Sequence, residues 1–180
     1  MAIAEVLARL SEAEARLSRP RAQAKLSKAQ AKCAQELQEL SRTHANSPAW
    51  ATGGIAEVVR FCHEPASAAD AVCALFNLSA AEANWAAIIE AGAIPPLVAL
   101  LSGRPEDAAA KAAGALSNLA NDEAGKAAII SAGAILPLVE LLGGGTESAA
   151  AEWAAGVLPK LVRDDAAGKV AIIEEGAIRP

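Results

Sequence analysis

The stretch Gly92-Ala93-Ile94-Pro95-Pro96-Leu97-Val98-Ala99-Leu100-Leu101 decides the fold, because its opening returns. Gly-Ala-Ile stands at Gly92, Gly133 and Gly176, spaced by 41 and 43 residues. A second block keeps the same step. Ala71-Val72-Cys73-Ala74-Leu75-Phe76-Asn77-Leu78 is followed by Ala112-Ala113-Gly114-Ala115-Leu116-Ser117-Asn118-Leu119, then by Ala154-Ala155-Gly156-Val157-Leu158-Pro159-Lys160-Leu161. A period in the low forties is the mark of stacked helical repeats. Such an array offers a long surface in place of a catalytic pocket.

Composition agrees. The 180 residues are 53% hydrophobic and only 3% aromatic, with no tyrosine. Alanine dominates the apolar fraction, and it is the strongest helix former. Within the repeat around Gly92 the pattern predicts three helices: Ala81 to Ala91, Ile94 to about Ser102-Gly103, and about Pro105 to Ala120. Glycine closes the first as a left-handed cap, and Pro95 and Pro96 fit the first turn of the second. The next repeat predicts helices over Ala124–Ala132, Ile135–Leu142 and Thr146–Val162, with Thr146 as a cap. The preceding repeat is shorter, with Trp50 in the place of Ile89 and Gly53-Gly54-Ile55 in the place of Gly-Ala-Ile.

Ahead of the repeats, Ile3, Val6, Leu7, Leu10 and Leu17 share one helical face. A second amphipathic helix is expected from about Arg21 to Leu40, carrying Leu26, Ala29, Cys33, Leu37 and Leu40. The pair reads as a cap over the open end of the array, and Ser41 to Pro48 as a linker. The domain division expected is an extension over residues 1–46 and repeats over 47–80, 81–121 and 122–164. A partial repeat is expected over 165–180. The chain stops where another second helix would begin, leaving Ile172, Ile173 and Ile178 to be covered by a continuation or a partner.

The net charge of −5 is uneven, +3 over residues 1–50 and −8 over 51–180. An acidic array argues against a nucleic-acid surface. Cys33, Cys62 and Cys73 are odd in number and form no metal or redox motif, which points to an intracellular, reduced protein. A cytoplasmic or nuclear site is expected, with organelle import left open. No apolar run is long enough to cross a bilayer, and the second residue is not the glycine that myristoylation requires.

The lines Ala91 to Leu101 and Ala115-Leu116-Ser117-Asn118-Leu119-Ala120 resemble the armadillo repeat, in preference to HEAT repeats, over roughly residues 47–180. The resemblance implies an all-α, right-handed solenoid of three-helix units whose third helices line a concave groove. It implies a protein-interaction role without catalysis or cofactor. In peptide-binding members a third-helix Asn contacts the backbone of an extended ligand. Asn77 and Asn118 match that position, and Lys160 replaces it in the third unit. Importin-α-like receptors carry Trp four residues earlier, where this chain has Cys73, Gly114 and Gly156. The aromatic walls for basic side chains are thus missing. Lys111 and Trp153 complete the candidate groove.

Three functions follow as expectations: an adaptor binding a protein or peptide segment in the groove, a structural subunit of a large assembly contacting it through residues 1–40 and the C-terminal end, or the substrate-binding fragment of an armadillo ubiquitin ligase. Nothing composes an active site. Cys62-His63 are adjacent and point apart on a helix, and His44 sits alone. Asp122-Glu123 and Asp164-Asp165 fall where acidic residues favour a helix start. Gly143-Gly144-Gly145 lacks the Lys-Ser/Thr of a phosphate loop.

Overall fold

The computed structural model describes residues 3–17, 23–51, 53–102, 106–143 and 148–162. Every regular element among them is helical. The chain forms two compact units, residues 1–91 and 92–180.

The first unit holds α1 (Ile3–Leu17), α2 (Gln23–His44), α3 (Gly54–Phe61), α4 (Ala68–Ser79) and α5 (Trp85–Glu90), with 3-10 turns at Pro48–Trp50 and Glu82–Asn84. Ile3, Val6 and Leu10 of α1 and Cys33, Leu37 and Ser41 of α2 are buried. α2 packs along both α1 and α4. It is longer than the sequence reading allowed. Ser41 to His44 continue the helix, because Ser41 falls on its buried face and is covered by α4. The connection shrinks to 45–47. Trp50, fully buried, closes the junction by donating its indole N–H to the His44 carbonyl at 2.9 Å.

The first helix of the next repeat is also shorter than expected. A 3-10 turn occupies Glu82–Asn84, and only Trp85–Glu90 is α-helical. Buried Asn84 is the reason. Its Nδ2 donates to the carbonyls of Ala45 and Leu78, tying the turn to the ends of α2 and α4.

The second unit holds α6 (Ile94–Leu101), α7 (Glu106–Leu119), α8 (Glu123–Ser131), α9 (Ile135–Leu142) and α10 (Ala149–Val162). α7 lies against α6 and α10, and α10 also against α9. Ten residues of α7 are buried, seven of them alanine or glycine. Such small side chains allow close helix packing.

Two Gly-Ala-Ile turns are described. Gly92 and Gly133 take φ of 74° and 71°. After α8, the Gly133 amide donates to Ile130 and the Ala134 amide to Ile129, the paired bonds that end a helix on a left-handed residue. The following Ala and Ile are buried in both copies. The copy at Gly176, with Ile172, Ile173, Asp164 and Asp165, lies outside the described residues. So does Thr146. α10 instead begins at Ala149, with Ser148 Oγ accepting the Ala151 amide at 3.3 Å. Asp122 caps α8 through the Gly125 amide at 3.0 Å, as the acidic pair at that junction suggested.

Candidate functional site

The candidate residues lie on third helices: Cys73 and Asn77 on α4, Lys111 and Asn118 on α7, Trp153 and Lys160 on α10. Within the second unit the pairs on α7 and α10 share one spacing, so each pair lies on one face of its helix. Lys111 precedes Asn118 by seven residues, and Trp153 precedes Lys160 by seven, two helical turns in each case. The same register makes Asp70 the counterpart of Lys111 on α4. The sequence reading left Asp70 out, although a step of 41 from Lys111 finds it. Burial pushes its carboxyl pKa up.

α7 shows how narrow the stripe is. Glu106, Asp107, Lys111 and Asn118 are the only residues of this helix that are not buried. Three of them, Asp107, Lys111 and Asn118, line up at spacings of four and seven, and so occupy one face. Between them sit Gly114 and Ala115, both buried and without side-chain bulk. On α10, Gly156 is exposed at the position matching Gly114. The middle of the stripe therefore carries small residues, flanked by longer polar ones.

Two contacts tie neighbouring helices at the rung position. In the first unit, Asn77 Nδ2 donates to Ser41 Oγ of α2 at 3.0 Å, while Ser41 Oγ donates to the Gln38 carbonyl at 2.6 Å. With its own proton committed, that hydroxyl can only accept, so the Asn77 amide must present nitrogen to it. In the second unit, Lys160 Nζ donates to the Ser117 carbonyl at 2.8 Å and to its Oγ at 3.1 Å. Rung residues thus reach back to a serine on the adjoining helix in both units. Sequence reasoning missed both serines. Ser117 carries no signal beyond its place in the recurring block, and Ser41 reads locally as the start of a linker.

Trp153 packs on a small cluster of Ala109, Ala110 and Ala150, beside Leu141. Its indole therefore covers the α7–α10 seam. Cys73 is half-buried on the α4 stripe.

Among the described residues no cluster of His, Cys, Asp and Glu could hold a metal ion. Cys62 is buried and its thiol pKa is pushed up to about 12 by burial, far from the thiolate a nucleophile requires. His63 beside it is exposed. No single helix among the described residues is long and apolar enough to cross a membrane.

The armadillo/beta-catenin-like repeat model matches residues 82–121. No curated protein matches the chain. An engineered protein of solved structure is 27% identical with a TM-score of 0.73, covering 84% of this chain and 63% of its own. The chain thus spans just under two thirds of that relative. A computationally designed armadillo repeat protein for modular peptide recognition superposes with a TM-score of 0.74 at 21% identity, covering 96% of this chain and 70% of its own, and shows the shared fold. A designed armadillo repeat protein in complex with the peptide (KR)4 is 25% identical with a TM-score of 0.69, covering 93% and 70%.

Proposed function

We propose that this chain, an armadillo-repeat protein with the all-α fold of that family, is a non-enzymatic interaction module that binds an extended protein segment along its third helices. The observation that carries the reading is the α7 stripe. Apart from Glu106, a buried helix keeps one line of polar side chains, Asp107, Lys111 and Asn118, with only small residues between Lys111 and Asn118 on that face. An Asn side chain offers a donor and an acceptor, as a peptide unit does. Packed helices stand about 8–10 Å apart and an extended strand advances about 3.3 Å per residue. One rung therefore serves two or three ligand residues. The solved relative in complex with the peptide (KR)4 supports a peptide as the kind of ligand.

The test is a peptide selected on the folded protein, then measured against Asn77→Ala, Asn118→Ala and the double variant. Each lost hydrogen bond is worth about 1 kcal/mol, so the double variant should bind roughly thirtyfold more weakly. Equal affinity for wild type and double variant would remove these residues from the site.

A second reading, a structural subunit in a larger assembly, has its own observation. Leu136 and Leu142 of α9 are 43% and 42% exposed. Leu142 follows the register of Leu101, which is only 2% exposed. Replacing both leucines by Asp should release the chain from such an assembly and leave groove binding intact. An assembly that survives both changes would retire this reading.

A further inference from the structure

We infer that the N-terminal half of α2 carries a second interaction surface, independent of the groove, that takes an acidic segment of a partner protein. Between Glu14 and Glu36 the sequence holds no acidic residue and six basic ones, in a chain of net charge −5. Lys25, Lys28 and Lys32 are exposed on α2. Their spacings of three and four put them on one face, spanning about 10 Å along the axis.

These three lysines differ from the other described cations. Arg9 pairs with Glu36, Arg16 with Glu12, Arg42 with Glu39, Arg60 with Glu14 and Glu57, and Lys126 with Glu123. Lys160 is held by Ser117. Lys25, Lys28 and Lys32 have no carboxylate partner among the described residues. Lys25, in the first turn, also stands against the helix dipole. The first turn of α2 has no acidic residue, and cations near a helix start oppose its dipole. No ion pair within the described fold uses these three charges, which leaves them available to an anionic partner.

Charge complementarity selects the partner. Between Lys25 and Lys32 stand Leu26, Ser27, Ala29, Gln30 and Ala31, a single bulky apolar residue where a helix seated in a lipid surface carries a whole apolar face. The sequence pI of about 5.1 disfavours a polyphosphate strand, which would meet an acidic protein beyond this short face. A short run of Glu or Asp fits the patch and avoids that repulsion.

The experiment titrates the full chain with a labelled (Glu-Ser)5 peptide, a single-stranded DNA of similar charge, and vesicles of phosphatidylcholine with phosphatidylserine, at two salt concentrations. Wild type should bind the peptide, more weakly at high salt, and bind DNA and vesicles less well. Lys25→Glu/Lys28→Glu/Lys32→Glu should lose peptide binding at least tenfold, while the corresponding triple Arg variant keeps it. A triple Gln variant, checked for an unchanged circular dichroism melt, guards against a folding defect and should also lose affinity. Peptide binding that is absent in wild type, or unchanged in the reversed variant, overturns the proposal. Tighter binding of DNA or vesicles than of the peptide overturns it equally.

Discussion

Lys160 Nζ bonds both the carbonyl and the hydroxyl of Ser117, at 2.8 and 3.1 Å, so a single ammonium fastens α10 to α7 across 43 residues of sequence. The position aligns with Asn77 and Asn118, yet the lysine is not an inert replacement. It spans the seam that Trp153 covers farther along the same helix. Lys160→Met keeps the side-chain stem and removes the donors. Partial exposure of the site discounts a charged hydrogen bond, leaving a loss on the order of 1 kcal/mol. Urea denaturation would show it as a lower midpoint. An unchanged midpoint would mean that water replaces the bonds at no cost.

The Asn77–Ser41 contact is the matching seam of the first unit. Ser41 is fully buried, so removing either partner leaves a polar group without its mate. Asn77→Ala and Ser41→Ala should each destabilise by about 1 kcal/mol. The double variant should lose less than their sum, because the second change removes a group already stranded. Strict additivity in a double-mutant cycle would show that the contact carries no coupling.

Trp50 and Gly54 set a tighter constraint. A Cβ at Gly54 would lie 2.8 Å from Trp50 Cε3 and 3.1 Å from Ile3 Cγ2. The indole cannot swing aside, since it is fully buried and pinned to His44. Gly54→Ala should therefore cost about 1–3 kcal/mol by overpacking. Trp50→Phe in the same background should recover part of it by shrinking the ring. Thermal melts of the two variants decide the matter, and a neutral Gly54→Ala would rule the clash out.

Gly92 and Gly133 make the opposite case. Neither would bring a Cβ within 4 Å of other atoms, but both have positive φ. The expected penalty is purely conformational, about 1 kcal/mol for Gly→Ala. It should be smaller for Gly→Asn, because Asn tolerates the left-handed region better. Chemical denaturation of both pairs checks the ranking. An Ala variant as stable as its Asn counterpart would contradict it.

These glycines explain why the repeat was so legible. A Gly that must turn left-handed, followed by Ala and Ile that must be buried, leaves a fixed tripeptide wherever the unit recurs. The helices after it are equally visible because their burial has helical spacing. What stayed hidden was set by contacts between distant segments. The end of α2 depends on Ser41 meeting Asn77, and the 3-10 turn before Trp85 depends on Asn84 meeting Ala45 and Leu78. Serine at position 41 reads locally as a turn former, and only α4 makes it a buried helical residue. At the candidate site, the sequence revealed the stripe through its register but not the use of Lys160 and Asn77 in bracing helices.

Cys62 supplies a pH dependence whose sign follows from its burial. An unperturbed thiol titrates near 8.5, whereas burial pushes Cys62 up to about 12 in the folded chain. Below the lower value both states are protonated and the thiol has no effect. Above it the unfolded chain releases the proton and the folded chain keeps it, so stability falls as pH rises toward 12. The slope from this group is at most about 1.4 kcal/mol per pH unit. Cys33, also raised by burial, adds in the same direction. The chain contains no tyrosine, so no phenol titrates in the window, and the lysines are common to wild type and variant. Urea midpoints under reducing conditions should hold to about pH 8 and then decline. Cys62→Ala should start lower, from its cavity, but decline less steeply. Parallel slopes for the two proteins would show that the Cys62 thiol is not protected by the fold.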